Sequence, residues 1–343
     1  MPSYYAYRYV SLQNEKATYG TASGTEYFGE VDDESFSNTF DLLTRSDMSR
    51  MGSHDSVAGT IRGEGGLNLV LQNDHFCAML IGAAYNSYTH DSSGNKHTFT
   101  ESVTAGKHLP SYRITVGRED EQHNYPGMCL SRLSLSANVG EYVMLSADFV
   151  GKGETAESTL NHAPSFEGAS TTGFHFAEAD VFFNITGSDP SNAGANVKSF
   201  SVEFNLNLDT DNSMALGSQE YVVQPMPQMR EITGTIEFAL PKTGAVGANN
   251  EPTYSSVNTD TDAAVIYEGT NYAIKLALAS GSDTLDLFLY RVVWDAPVMN
   301  VSGRDSSTMS VGFTALTDST TNVMSKVDMV MADVTDADLD LFD

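Results

Sequence analysis

Two cysteines in 343 residues exclude a disulfide framework. Cys77 and Cys129 lie in apolar contexts without metal-ligand spacing, so buried thiols are favoured over a disulfide. Cations are scarce as well: 18 Lys and Arg stand against 45 Asp and Glu, for a formal charge of −27. Such a surface repels phosphates and argues against a sequence reader or a nucleic-acid packaging protein. At low salt it also repels copies of itself, which suits a salty working medium and suggests a halophilic source, because the Debye length falls to about 3 Å at 1 M. No apolar run approaches the ~20 residues of a membrane-spanning helix. The opening Met1-Pro2-Ser3-Tyr4-Tyr5 lacks the basic and apolar regions of a secretory signal, so the chain is expected to be made and kept in the cytoplasm until it is released.

Chemistry-bearing motifs are missing too. Gly59 to Gly66 carries glycines, but no Lys-Ser/Thr follows to make a phosphate loop. The histidines at 54, 75, 90, 97, 108, 123, 162 and 175 never fall at a spacing typical of zinc. No Gly-x-Ser-x-Gly elbow supports a nucleophilic serine. Asp32-Asp33-Glu34 and the acidic run from Asp333 to Asp343 lack calcium-hand spacing and read as solvated charge. Carboxylates are so numerous that no pair is informative. Catalytic residues, a metal and a cofactor therefore find no support.

What the chain has is strand patterning. Phe200, Val202, Phe204, Leu206 and Leu208 alternate with Ser201, Glu203, Asn205 and Asn207, one face dry and one wet. Leu133 to Val139 and Val143 to Phe149 alternate likewise, and further strands are expected at 174–185, 235–240, 272–279, 285–294 and 309–314. This is the signature of antiparallel sheets with one solvated face. Helix is sparse. Asn73 or Asp74 predicts a cap for a short helix from His75 to Ile81 stopped by Gly82, and Asp260 or Thr261 for a turn or two through Ala263 to Tyr267.

The pattern is also written twice. Gly59-Thr60-Ile61 returns as Gly234-Thr235-Ile236, Tyr112-Arg113-Ile114 as Tyr272-Ala273-Ile274, Arg132 as Arg291 and Phe149 as Phe313. The order is kept at offsets of 175, 160, 159 and 164 residues. A period this long is not a solenoid. It reads as two tandem β domains over residues 1–155 and 170–343, joined by a linker at 156–169 within the Gly-, Ser-, Thr- and Asn-rich stretch from Gly151 to Ser170. Each half is long enough for its own core. Thr39 to Ser56 and Asp209 to Arg230 lack periodicity yet carry apolar side chains, and long apolar-bearing loops are more often functional than idle. Phe40, Leu42, Leu43, Met48 and Met51 in one, and Met214, Leu216, Tyr221 and Met226 in the other, are the expected contacts with neighbouring subunits. The methionines suit an adaptable interface.

Lys16-Ala17-Thr18-Tyr19-Gly20-Thr21-Ala22 resembles the opening of tail tube proteins of long-tailed bacterial and archaeal viruses. Leu109 to Val116, Leu133 to Gly140 running into Ala147 to Lys152, Val197 to Val202 and Arg230 to Ile236 are similar to that family's cadence. The resemblance implies a mostly β fold of two tandem β-sandwich or half-barrel domains, each with a short flanking helix. It also implies a subunit of stacked trimeric rings in the virion tail, assembled in the host cytoplasm. Its partners would be further copies of itself and other tail proteins at the tube ends, with DNA passing through without sequence-specific binding. Glu203, Asn205 and Asn207 are the expected lumen-facing row. The rival reading is an acidic surface or adhesin protein of tandem immunoglobulin-like domains. It would be favoured by export signals and calcium-loop acids, and neither is clear.

The charge makes one expectation sharp. Unscreened like charges a few ångströms apart repel by about 1 kcal/mol in water and by more near protein. Rings or tubes should therefore form more readily in molar salt and loosen on dilution, while duplex DNA should not bind the intact tube. Light scattering across a salt series, with a labelled DNA fragment as second probe, tests both; assembly that weakens as salt rises would refute the charge reading.

Overall fold

The computed structural model describes residues 8–16, 18–102, 108–118, 121–157, 160, 164–166, 173–184, 190, 192–193, 197–239, 272–295, 298–300, 308–318 and 322–331. The first half contributes β1 (Tyr9–Asn14), β2 (Glu26–Gly29), β3 (Asp33–Glu34), β4 (Ser37–Arg45) and β5 (Asp55–Val70). After the helix α1 (His75–Gly82) come β6 (Ser87–Asp91), β7 (Lys96–Thr100), β8 (Ser111–Arg118), β9 (Glu121–Asn138), β10 (Met144–Gly151) and β11 (Thr155–Glu157). The second half contributes β12 (Ala179–Asn184), β13 (Asn192–Ala193), β14 (Val197–Asn205), β15 (Leu208–Asp209), β16 (Met226–Pro227) and β17 (Glu231–Ala239). It ends with β18 (Tyr272–Ser280), β19 (Asp283–Trp294), β20 (Val298–Asn300), β21 (Thr308–Ala315) and β22 (Ser325–Val330). The protein is mostly β, and every ladder among the described residues is antiparallel.

The alternating segments form the expected strands because each buries every second side chain. In β9, Leu133, Leu135 and Ala137 are buried, and in β14, Phe200, Val202 and Phe204. The helix begins where its cap predicts. The Asp74 carboxylate accepts the Cys77 N–H at 2.7 Å, satisfying a donor the first turn leaves orphaned. Asn73 instead donates its amide to the Val330 carbonyl at 3.0 Å. The helix includes Gly82, with Ala83 as its C-cap, and all eight residues are buried. Hydrophobic on every side, it is core rather than surface. The predicted second helix, at 263–267, lies outside the described residues. At 174–185 a 3₁₀ turn over Phe176–Glu178 precedes β12, so the strand starts later than its pattern suggests. Both cysteines are free and buried, and burial pushes the Cys129 thiol's pKa up.

The pairing order repeats between the halves. In the first it runs β2–β1–β8–β9–β10–β5 and in the second β13–β12–β18–β19–β21–β17. Even an irregularity recurs: the β8–β9 ladder slips between Tyr112 and Ile114, and the β18–β19 ladder between Tyr272 and Ile274. Two sequence matches therefore stand in structural register, Tyr112 with Tyr272 and Phe149 with Phe313. The other two do not. Phe149 faces Gly65 and Phe313 faces Gly234, so the counterpart of Gly234 is Gly65 rather than Gly59. Tyr112 faces Met128 and Tyr272 faces Val292, which sets Arg291 opposite the role of Gly127 rather than of Arg132. Short motifs match by chance; ladders must agree on both sides of every strand.

Among the described residues two ladders join the halves. β9 pairs with β14 from Arg132↔Asn205 to Asn138↔Ser199, and β7 pairs with β22 from Lys96↔Val330 to Thr100↔Lys326. The Arg230 guanidinium adds an ion pair to Glu101 at 2.9 Å, with both side chains largely buried. The apolar side chains of both halves consequently merge into one core cluster instead of two separate ones. Most of the expected linker lies outside the described residues.

Gly65 and Gly234 are glycines for a shared reason of space. A Cβ on Gly65 would run into the Phe36 backbone, and one on Gly234 into the Phe313 ring and the Ser201 carbonyl. Gly65→Ala and Gly234→Ala should each destabilise the fold by about 1–3 kcal/mol through overpacking. Chemical denaturation of the two variants checks this, and wild-type midpoints would show that the strands part freely there.

Candidate assembly surface and sheet face

The β9–β14 ladder makes one sheet cross the whole chain in the order β4–β5–β10–β9–β14–β17–β21. Directly opposed residues share a face, so the registers define rows across it. One dry row runs Leu69, Leu145, Leu135, Val202, Gly234 and Phe313. The adjacent wet row runs Asn68, Ser146, Ser134, Glu203, Thr233 and Thr314. Further wet rows run Gly66, Asp148, Arg132, Asn205 and Glu231, then Val70, Met144, Ser136, Ser201, Thr235 and Gly312. Apart from Val70 and Met144 these rows carry mostly hydroxyls, amides and carboxylates, with Ser201 and Thr235 sharing a hydrogen bond at 2.7 Å.

In these wet rows the single cation is Arg132, and it is spoken for. Its guanidinium meets the Asp148 carboxylate at 2.6 Å and Glu203 at 3.7 Å. The hydrogen bond that Arg132 donates to Asp148, then the fields of Asp148 and Glu203, hold the Arg132 pKa above its ordinary value. Asp148, Glu203 and Glu231 leave the rows net negative. Among the described residues there is no cluster of His, Cys, Asp and Glu fit to hold a metal. No described helix is long and apolar enough to cross a membrane.

Glu203 and Asn205 stand on this face, as their alternation predicts. Asn207 does not join them. It lies past the end of β14 at a left-handed φ of 45°, where its amide donates to the Met229 carbonyl at 2.8 Å. Asparagine tolerates that conformation because its short polar side chain bonds locally. The sequence offered only the period of two, which does not say where a strand stops.

The segment 39–56 is not the loop that its lack of periodicity suggested. β4 and β5 form a long hairpin arm, with Phe40 opposite Ile61 and Arg45 opposite Asp55. Its outer part is wet on both faces, so no burial selects an alternating pattern. Phe40 is 63% exposed, Leu42 59% and Leu43 62%, and Met48 and Met51 at the tip are fully exposed. Between β15 and β16 the second segment makes one 3₁₀ turn over Asp211–Ser213 and is otherwise irregular. Leu216 and Met226 are exposed, and Met214 is half-buried. Tyr221 is buried within its own chain, an aromatic that found an intramolecular site and offers no free surface. A feature invisible in sequence brings the two segments together: the Ile61 N–H donates to the Gln219 carbonyl at 2.7 Å, and the Gln219 amide donates to the Ala58 carbonyl at 2.7 Å. The second segment is thus strapped to the arm of the first.

A family model described as phage tail tube protein matches residues 14–315. The chain belongs to that family. It is a structural component of a viral tail. No curated protein matches the chain. The family match covers most of both halves, the β9–β14 ladder and both apolar segments.

Contiguous exposed apolar side chains mark interaction surfaces. Replacing Leu42 and Leu43 together by Asp should leave the monomer folded, because neither is buried in it, and should block polymerisation. Circular dichroism and light scattering of the double variant check this; normal polymerisation would remove the arm from the interface.

Proposed function

We propose that the chain builds a tail tube of stacked rings through which the viral genome passes, each ring being three copies that present six quasi-equivalent halves over residues 1–155 and 170–343. The observation that carries this reading is the continuous antiparallel sheet with one wet, cation-poor face. A conduit for DNA must not hold phosphates, and phosphate affinity comes from unpaired Lys and Arg. On the wet face the one arginine in the rows is already neutralised by two carboxylates. Glu203, Asn205 and their hydroxyl neighbours would then line the lumen. The dry face packs on the core.

The apolar arm and the strapped segment 214–229 would contact neighbouring copies, and the ends of the tube other tail proteins. Rings stacked by a heterologous contact make an open tube of no fixed length. Sheets that close between copies also remove the exposed edges that invite aggregation.

Cryo-microscopy of purified protein at high and low salt tests the reading. Rings of three chains stacking into hollow tubes are expected. A ring of six chains would reject the trimer, and a monomer at every salt concentration would reject the tube. Asp148→Asn with Glu203→Gln uncovers Arg132 and should raise retention of DNA by assembled tubes; unchanged retention would place this face away from the lumen.

A further inference from the structure

The strands of the continuous sheet have two ends, and the arm extends from only one of them. β5 runs from Asp55 in the arm to Val70, which faces Met144, and Met144 faces Ser136 near the end of β9. Val139 and the arm tip therefore stand at opposite ends of the same strands, separated by the 16 residues of β5, roughly 50 Å. At the end away from the arm lies a cavity of about 120 Å³ whose walls come from both halves. Val139 stands on the β9 side, and Phe176, Asp180, Val197, Lys198 and Leu276 belong to the second half. Three apolar side chains around it are uncovered: Val139 is 60% exposed, Tyr142 57% and Phe176 42%. Backbone bonds hold them together, from the Val139 N–H to the Lys198 carbonyl at 3.0 Å and from the Phe176 N–H to the Glu141 carbonyl at 3.1 Å. An apolar cluster of this kind beside a cavity marks an interaction surface.

We infer that this seam cavity receives the arm tip of a second copy, with Met48 or Met51 entering it and Arg50 meeting Asp180 on its rim. The inference rests on the tube reading and names a contact between successive rings. Size, chemistry and number agree. An apolar cavity of about 150 Å³ holds a benzene, so one slightly smaller holds a single side chain. Methionine is unbranched and flexible enough to enter a gap of irregular shape, and Met48 and Met51 are fully exposed. At the tip Asp47 accepts the Ser49 N–H at 3.0 Å and faces His54 at 3.5 Å, and Arg45 stands opposite Asp55. That leaves Arg50 as the outward charge. The cavity's surroundings answer with exposed carboxylates at Asp180 and Glu141, Lys198 being the cation among the lining residues. Each chain has one extended arm, because the second half's hairpin pairs only at Leu208 and Asp209, and one β9–β14 seam. Arms and seams thus match one to one, and a ring of three copies makes three such contacts rather than six. Because tip and cavity lie at opposite ends, the contact is head-to-tail and repeats without closing.

Side-chain footprinting of the wild-type chain reads the contact directly. Val139, Tyr142 and Phe176 should lose most of the hydroxyl-radical oxidation they show in the monomer once tubes form, together with Met48 and Met51. Val139→Asp places a charge at the cavity and should leave single rings that do not stack; Val139 is exposed in the monomer, so the fold should survive. Arg50→Glu should raise the salt needed for stacking, and Asp180→Arg in the same chain should lower it again. Met48→Cys and Met51→Cys are each combined with Val139→Cys. At least one pairing should give covalent multimers under mild oxidation of tubes, while the single variants stay uncrosslinked, the native Cys77 and Cys129 being buried. Tubes in which Val139, Tyr142 and Phe176 oxidise as in the monomer would overturn this docking and leave the tube reading intact. Normal stacking by Val139→Asp, no recovery on adding Asp180→Arg, or two cysteine pairs that stay reduced in assembled tubes would do the same. If the variants do not assemble, the wild-type footprint decides. A wild-type chain that never leaves the monomer would defeat the tube reading and this contact with it.

Discussion

The fold depends on one strand changing partners part-way along. β9 pairs with β8 through residues 121–129 and with β14 through 132–138. An ordinary strand of about five or six residues would end where β8 ends. β9 instead continues, with a slip in its β10 ladder near Ser131. Its freed edge is where the second half attaches. The Leu206 N–H extends the junction by donating to the Ser131 carbonyl at 3.0 Å, and the Val139 N–H does so at the other end to Lys198. Without this ladder the dry faces of both halves would end at an open edge, and the wet rows would break in the middle.

Charge is arranged around the same junction. Arg132 sits on β9, Asp148 on β10 and Glu203 on β14, so the cation bridges three strands across the seam. Exposed pairs contribute little, about 0–1 kcal/mol, and Arg132 is 54% exposed. It also offsets repulsion between two carboxylates on the strands that flank β9. The arginine thus serves the join between the halves, and its charge is matched in the rows it occupies.

The sequence showed what burial selects. Period-two alternation located β9, β10, β14 and β21 because each has one dry face, and the Asn73-Asp74 pair located the helix because a cap has a fixed chemistry. It was silent where burial does not choose. The outer part of β4 is wet on both sides, so Leu42 and Leu43 carried no periodic signal and the arm read as a loop. Tyr221 looked like its apolar neighbours until the fold covered it, and Asn207 followed the alternation one step past the strand's end. Gly59 and Arg132 matched Gly234 and Arg291 in letters alone. Register is a property of pairs of strands, and one strand's sequence does not contain it.

The repeated pairing order also shows where the two halves differ. The β9–β14 seam joins them within one chain. The arms differ most. In the first half the hairpin beyond Phe40 stays extended to Arg45 and Asp55, with its apolar residues outside. In the second the corresponding hairpin pairs only briefly, Leu208 with Pro227 and Asp209 with Met226, and then folds back. Its Gln219 straps it to the extended arm through two hydrogen bonds to β5. One arm reaches outward while the other braces it. Identical single units could not divide the work in this way, because each would carry the same arm to the same place.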